Sequence, residues 1–167
     1  MQIIELTQGM IALIDDEDYA LVSGYFWHAS LADRFYYAVN KGRETTYMHR
    51  LIMGVLDKPD IEVDHRSGCT LDNRRANLRE CTSAQNKMNT RVRKTGKYSR
   101  FKGVGRQDGY WIARIHQGKE RIWLGTYNTE EEAAHAYDAG ARKHFGDFAR
   151  LNFPQPGEMP ALSPIAL

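Results

Sequence analysis

The chain has 167 residues, with 23 basic and 21 acidic residues and a formal net charge of +2. This length suits two compact domains joined by a linker. Residues 63–125 hold 15 basic and 5 acidic residues, while both flanks are acidic on balance. A basic block of that size favours a polyanionic partner. The sequence has no apolar run near the ~20 residues of a transmembrane helix and no signal-peptide pattern, so we expect a cytoplasmic protein without a membrane partner.

The two cysteines, Cys69 and Cys81, lack the paired spacing and the four ligands of a structural zinc site. We expect both to be reduced thiols.

Residues 1–46 are predicted to be β-rich. Apolar runs at 2–6 and 10–14 are separated by Gln8-Gly9, a turn signal. A second hairpin is expected over residues 26–39, where aromatic side chains predict a small core. Base stacking is the alternative role for these aromatic residues, but the acidic balance of this region argues against it.

Four polar residues within 23 positions form the main candidate site: Asp64, His65, Asn77 and Asn86. A hard divalent cation prefers oxygen ligands, which Asp64 and Asn86 offer. The imidazole of His65 can accept a proton from an attacking water, and a bound cation would neutralise charge at a phosphate. Any one of these residues alone is more typical of a turn or a helix cap.

The stretch VDHRSGCTLDNRRANLRECTSAQNKMN, residues 63–89, resembles the HNH nuclease family in its H-N-N variant. The preceding residues 47–53 are similar to the segment that leads into that motif. The resemblance implies a ββα-metal fold with strands over 61–66 and 78–82 and a helix starting near Ser83. Asp64 and Asn86 would then be ligands of Mg²⁺, or of another divalent cation such as Mn²⁺.

The same resemblance makes His65 the general base and Asn77 the residue that holds the loop carrying it. His49 would have a supporting role at this site, with helix capping as its alternative. Three arginines are the expected phosphate contacts: Arg74, Arg75 and Arg79.

Residues 87–102 contain seven basic residues and no acidic residue. We interpret their central part as a basic linker that follows the DNA backbone, through Arg91, Arg93 and Lys94; a solvated linker is the alternative.

The last third of the chain predicts three strands and one helix. Residues 110–116 alternate, with Trp111, Ala113 and Ile115 on one side and Ile112, Arg114 and His116 on the other. Gln117-Gly118-Lys119 predicts a hairpin turn. Thr129 and Glu132 predict a capping box at the start of an alanine-rich helix.

Residues 99–154 resemble the plant ethylene-response-factor (APETALA-type) DNA-binding domain. The residues that carry the resemblance include Phe101-Lys102-Gly103-Val104, Trp123-Leu124-Gly125-Thr126-Tyr127 and Leu151-Asn152-Phe153-Pro154. The resemblance implies a three-stranded sheet in the DNA major groove, with a helix packed behind it. The positions that would contact DNA are Lys102, Arg106, Arg114, His116, Arg121 and Trp123. Core packing is the alternative for Trp123.

The sequence therefore predicts an α+β chain in five segments. They are a β-rich N-terminal region (1–46), an HNH nuclease module (47–90), a basic linker (91–98), an ethylene-response-factor-like domain (99–154) and a disordered tail (155–167). The predicted function is a homing-type endonuclease of a phage or bacterial host that cuts double-stranded DNA, with a dimer possible. The alternative is a non-catalytic, sequence-specific DNA-binding regulator whose nuclease site has decayed.

Overall fold

The computed structural model describes residues 1–32, 34–88, 99–118 and 120–161. The chain divides into two compact units, Met1–Ser83 and Ala84–Leu167. Each unit contains a three-stranded antiparallel sheet and at least one helix, which confirms the predicted α+β class. Within the described residues, no helix is long and apolar enough to cross a membrane.

The first unit consists of short elements. In chain order they are β1 (Gln2–Glu5), β2 (Ile11–Ile14), α1 (Tyr19–Val22), β3 (His28–Ala32), β4 (Phe35–Lys41), β5 (Thr45–Tyr47), α2 (Met48–Ile52), β6 (Glu62–His65) and β7 (Leu78–Cys81). β1 and β2 form an antiparallel hairpin, as do β6 and β7, and β3, β4 and β5 form a sheet in that order.

One core joins the predicted N-terminal region to the segment that follows it. Ala29 and Ala38 of the sheet belong to the same buried cluster as Met48 of α2 and Leu78 of β7. Trp27 is buried in this cluster and donates from Nε1 to the Val22 carbonyl at 3.0 Å. Residues 1–46 are thus part of a larger unit, because their apolar faces are covered by residues beyond position 46.

The elements β6, β7 and α3 (Ser83–Met88) occur where two strands and a helix are predicted. This order of elements does not by itself show an HNH metal module. The boundary between the two units lies at Ser83, inside the segment predicted as one module (47–90). The physical reason is that Met88, at the end of α3, packs against the core of the second unit.

The second unit has the predicted three strands and long helix. After α3 its elements are β8 (Val104–Gln107), β9 (Tyr110–Gln117), β10 (Glu120–Tyr127), α4 (Glu130–Phe145), β11 (Arg150–Leu151) and β12 (Met159–Pro160). β9 lies between β8 and β10 in an antiparallel sheet. α4 starts at the predicted capping box, in which Thr129 Oγ1 accepts from the Glu132 amide at 3.2 Å.

Small residues let α4 lie close to this sheet. Ala133, Ala141 and Phe145 of the helix are buried with Ala113 and Ile115 of β9. A Cβ atom at Gly140 would lie 2.8 Å from Leu124 Cδ1, so a larger residue there would push the helix away.

The loop before β8 also approaches the helix closely. Gly103 has a φ of +73°, and a Cβ atom at this position would lie 1.9 Å from Tyr137 Cδ2. Both the backbone conformation and the contact therefore require glycine.

Part of the predicted disordered tail is packed. Glu158 forms an ion pair with Arg142, with 2.7 Å between Oε1 and Nε. β12 pairs with β11 in parallel, and the Ala161 amide donates to the Leu151 carbonyl at 2.6 Å. The expectation of disorder is therefore wrong for residues 158–161, which these contacts hold. Residues 162–167 and the predicted linker 91–98 lie outside the described residues.

Candidate nucleic-acid interface

The sheet of the second unit has two chemically different faces. The face toward α4 carries Val104, Trp111, Ala113, Ile115, Ile122 and Leu124, which belong to the core or pack against it. Strand alternation places another set of side chains on the opposite side. We call this side the outer face and define it by Gln107, Tyr110, Arg114, His116, Arg121 and Trp123.

Strand register brings residues of β9 and β10 on the outer face together in cross-strand pairs. Arg114 lies directly opposite Trp123, and His116 lies directly opposite Arg121. Side chains in such pairs have Cβ atoms about 4.5–5.5 Å apart. Trp123 is 52% exposed and presents a large apolar surface beside these polar side chains. The predicted contact residues Arg114, His116, Arg121 and Trp123 thus form one compact surface.

The arginines of this surface have no carboxylate partner among the described residues. None of the ion pairs there includes Arg114 or Arg121. None of the six residues that define the outer face is acidic, and Glu120 lies opposite Gln117 on the side of the sheet toward α4. The Asp108 carboxylate, in the β8–β9 turn, lies 3.4 Å from Gln107 Nε2. The positive charge of this face is therefore available to an external anion.

A bulge between Trp123 and Gly125 shapes this surface. The extra residue puts Gly125 opposite Ala113 and Tyr127 opposite Trp111, so Tyr127 packs against the core on the side facing α4. Gly125 has a φ of +135°, and a Cβ atom there would lie 2.8 Å from Tyr127 Oη. Glycine is required at this position for the bulge to form.

Lys102 and Arg106 lie away from the outer face. The Lys102 Nζ donates to the Met88 carbonyl at 2.9 Å, and burial together with the charge of Arg150 lowers the pKa of Lys102 to about 7. Arg106 alternates onto the side facing α4, where its guanidinium carbon lies 5.3 Å from the centre of the Trp111 ring. The structure therefore groups four of the six predicted contact residues and separates these two.

A polar network that the sequence did not reveal fixes the start of β8. Asn152 accepts from the Lys102 amide at 2.7 Å and donates to the Lys102 carbonyl at 3.1 Å. The buried carboxylate of Asp138 accepts from the amides of Asn152 and Phe153 at 2.8 and 2.7 Å. The helix thereby positions the loop that leads into the sheet.

Gln107 and Tyr110 are the outer-face residues that were not among the predicted DNA contacts, and Gln107 is the one on β8. It is exposed and lies opposite Tyr110 at the end of the β8–β9 hairpin. Applying the alternation of β9 to β8 would have found it, because Arg106 and Gln107 must point to opposite faces.

The candidate residues of the first unit have a different environment. Asp64 is buried, and its Oδ2 accepts from Arg79 Nε at 2.8 Å and from a terminal guanidinium nitrogen at 2.6 Å. His65 Nε2 lies 3.2 Å from Asn73 Oδ1. Burial lowers the pKa of His65, and the contact with Asn73 and the charge of Asp64 oppose that shift.

Asn77 holds the loop between β6 and β7. Its Oδ1 accepts from the Ser67 amide at 2.8 Å, and its Nδ2 donates to the Asp72 carbonyl at 2.7 Å. These bonds close the loop that follows His65.

His49 is part of an aromatic cluster with His65, Tyr37 and Tyr47. The centres of the two imidazole rings are 5.0 Å apart, and the Tyr37 ring lies 5.8 Å from His49. Burial, with smaller contributions from His65 and Arg50, lowers the pKa of His49 to about 3. His49 is therefore a neutral interior residue near neutral pH.

The other predicted phosphate contacts of this unit are ion-paired. Arg74 binds Asp72 through two nitrogens, at 2.8 and 2.7 Å. Arg75 binds Asp18 at 3.0 and 2.6 Å. With Arg79 bound to Asp64, all three arginines already have carboxylate partners, which opposes a role as phosphate clamps.

The predicted Mg²⁺ or Mn²⁺ site stays a prediction. Asn86 is half-buried in α3, on the second unit's side of the boundary from Asp64. Among the described residues, no group of three or more His, Cys, Asp or Glu side chains is arranged to hold a metal ion. The pairing of Arg79 with Asp64 also fits a cation poorly, because a bound cation would compete with the guanidinium. Arg91, Arg93 and Lys94 lie outside the described residues.

Comparison with known proteins finds relatives over about one third of this chain. It is 47% identical over 58 residues to dehydration-responsive element-binding protein 2A of Arabidopsis thaliana, covering 33% of this chain and 17% of the relative. It is 48% identical over 56 residues to the AP2/ERF and B3 domain-containing transcription repressor TEM1 of Arabidopsis thaliana, covering 33% and 16%. No protein-family model matches the chain.

A third relative is ethylene-responsive transcription factor ERF025 of Arabidopsis thaliana, 45% identical over 62 residues, which are 36% of this chain and 27% of the relative. The chain thus spans less than a third of each of these relatives. The matched lengths agree with the 56 residues of the predicted segment 99–154. The similarity supports an ethylene-response-factor-type DNA-binding domain.

These relatives correct the main functional prediction. Their names describe transcription factors and a DNA-element-binding protein, which contradicts the prediction of a metal-dependent homing endonuclease and of a hydrolase. They also give no support to a phage or bacterial origin. The resemblance of residues 63–89 to HNH nucleases misled because it rests on a few polar residues, several of which serve internal contacts in this structure.

Proposed function

We propose that this chain is a sequence-specific, double-stranded-DNA-binding regulator that contacts DNA through the outer face. The observation that carries the proposal is the set of basic side chains on that face, with no carboxylate partner for Arg114 or Arg121 among the described residues. The names of the relatives agree with this function.

The chemistry of the outer face suits the DNA major groove. The groove is about 12 Å wide and admits a β-ribbon. Arg114 and Arg121 each present a guanidinium fork that can donate to O6 and N7 of guanine. Trp123, between them on the sheet surface, offers a large apolar face to sugars and to thymine methyl groups.

The dimensions of β9 set the length of the contacted site. Tyr110 and His116 are six residues apart along the strand, or about 20 Å at ~3.4 Å per residue. A strand that follows the groove would span about six base pairs at ~3.4 Å per base pair.

We infer a structural role for the polar cluster of the first unit. Arg79 neutralises Asp64, Asn77 closes the adjacent loop, and His49 is neutral in the interior. Buried polar groups that are paired in this way fix the arrangement of the segments that carry them.

Selection from a random duplex library, followed by a salt titration of the selected duplex, tests the proposal. We expect one enriched motif of about six base pairs and an affinity that falls as salt is raised. Enrichment of no motif, or equal binding to unrelated duplexes, would contradict sequence-specific binding. DNA cut in the presence of Mg²⁺ would contradict a purely regulatory role.

A further inference from the structure

Gln107 lies at the end of the outer face, next to the β8–β9 turn. Unlike Arg114 and Arg121, it carries no charge. Asp108 and Gly109 both have positive φ, at 51° and 86°, and form a tight two-residue turn. Such a turn places the flanking residues Gln107 and Tyr110 directly opposite each other. Both are exposed, and Tyr110 is 53% accessible.

We infer that Gln107 is a specificity-determining residue that reads an adenine at one end of the bound site. This inference rests on the proposed function. A glutamine side chain has one acceptor and two donors at its tip. This pattern matches N6 and N7 of adenine in the major groove, as the guanidinium fork matches guanine.

Three features of the site support this assignment. Gln107 is on the same face as Arg114 and Arg121, so a duplex held by those arginines also faces Gln107. Its amide offers both a donor and an acceptor, and a base edge can pair with both, whereas a phosphate oxygen only accepts. Its Nε2 contact with Asp108 Oδ2 is long, at 3.4 Å, and exposed, so a base can replace it at low cost.

The position of the adenine follows from the strand geometry. Gln107 lies opposite Tyr110, and Arg121 lies opposite His116. These two pairs are at opposite ends of β9, about 20 Å apart. The adenine should therefore lie about six base pairs from the position that Arg121 contacts.

The chain also supplies a matched control. Gln117 is an exposed glutamine of the same sheet, but alternation places it on the side facing α4, opposite Glu120. A substitution there changes the same chemistry in the same sheet without altering the outer face.

The test is selection from a random duplex library with four full-length proteins: wild type, Gln107→Arg, Gln107→Ala and Gln117→Arg. We expect wild type to select adenine at one end of the motif and Gln107→Arg to replace that base with guanine. Gln107→Ala should lose the preference at that position, with binding to the wild-type duplex about 5- to 150-fold weaker. Gln117→Arg should select the wild-type motif.

The outcomes separate the two proposals. Failure of wild type to enrich any motif would overturn the proposed function and this inference with it. A wild-type motif that both Gln107 variants retain unchanged would overturn the assignment of Gln107 alone. A change that Gln117→Arg reproduces would also overturn it, because the effect would not depend on the outer face.

Discussion

Arginines occur in both units, but they meet opposite surroundings. In the first unit, Arg74, Arg75 and Arg79 each bind a carboxylate. On the outer face of the second unit, Arg114 and Arg121 form no ion pair with the described residues. The same side chain therefore stabilises the fold in one unit and offers charge to a partner in the other. A basic sequence segment indicates nucleic-acid binding only where the fold does not already neutralise it.

The buried pair of the first unit gives the largest expected effect. Asp64→Ala would leave the Arg79 guanidinium buried without this carboxylate and should lower the free energy of unfolding by about 3–5 kcal/mol. Urea denaturation monitored in the first unit measures it. Asp16→Ala, which breaks an exposed pair with the terminal amine, is the control and should leave stability unchanged.

A double replacement tests whether the loss comes from leaving the Arg79 charge unpaired. Asp64→Leu combined with Arg79→Met replaces both charges with apolar side chains, so it should recover most of the loss. If Asp64→Ala alone had the same free energy of unfolding as wild type, the Asp64–Arg79 pair would contribute little to stability.

Substitutions on the outer face should weaken DNA binding without changing the stability of the fold. Arg114→Ala and Arg121→Ala should each weaken binding to the selected duplex by about 1–3 kcal/mol and relax the preference at one base position. Fluorescence anisotropy at fixed salt measures the affinity. Arg74→Ala, whose guanidinium is bound to Asp72, is the matched substitution in the first unit. An equal loss of affinity in Arg74→Ala would remove the distinction between the two units.

The stability of the first unit should fall in acid. His49 has a pKa of about 3 in the folded state, against about 6.5 when unfolded. Between these two pH values, His49 binds a proton in the unfolded chain but not in the folded chain. The free energy of unfolding therefore keeps its full value above about pH 6.5 and falls by up to about 1.4 kcal/mol per pH unit below it.

Urea midpoints at pH 7 and pH 5 measure this dependence, with His49→Phe as the comparison. The variant lacks the titrating group and should lose less stability between these two pH values than wild type does. Parallel curves for the two proteins would rule out His49 as the source.

The capping box of α4 gives the smallest effect. Thr129→Ala removes the acceptor for the Glu132 amide and should lower the stability of the second unit by about 1 kcal/mol. Circular dichroism during thermal unfolding measures the change. If the substitution changed only the unfolding temperature of the first unit, this cap would not stabilise the second unit.

The strands, the long helix and its cap could be predicted because they depend on local patterns. Alternation on β9, the turn at Gly118 and the Thr129–Glu132 spacing each act over a few residues. The boundary between the units could not be predicted, because it depends on Met88 packing against residues far along the chain. The environments of Lys102 and Arg79 also required the structure, since their partners, Met88 and Asp64, are 14 and 15 positions away.

Only part of the candidate site could be predicted, because the sequence does not show which charged residues are paired over long distances along the chain. The resemblance to the ethylene-response-factor domain pointed to Arg114, His116, Arg121 and Trp123, and alternation placed Arg114 and His116 on the same side of β9. The same residue types in the first unit suggested a nuclease, because a sequence motif does not show whether its charges are already paired within the fold.

We propose that the outer face of the second unit, and not the arginines of the first unit, binds DNA. The most direct test compares Arg114→Ala/Arg121→Ala with Arg74→Ala/Arg75→Ala in a salt titration on the selected duplex with Mg²⁺ present. Folding of both proteins is checked by circular dichroism, and the DNA is run on a gel afterwards. We predict an affinity loss of at least about 30-fold and a shallower salt dependence for the outer-face variant, near wild-type binding for the other, and uncut DNA. The opposite ranking of the two variants would show that the first unit binds DNA, and cut DNA would show that the protein is a nuclease; either result would rule out this proposal.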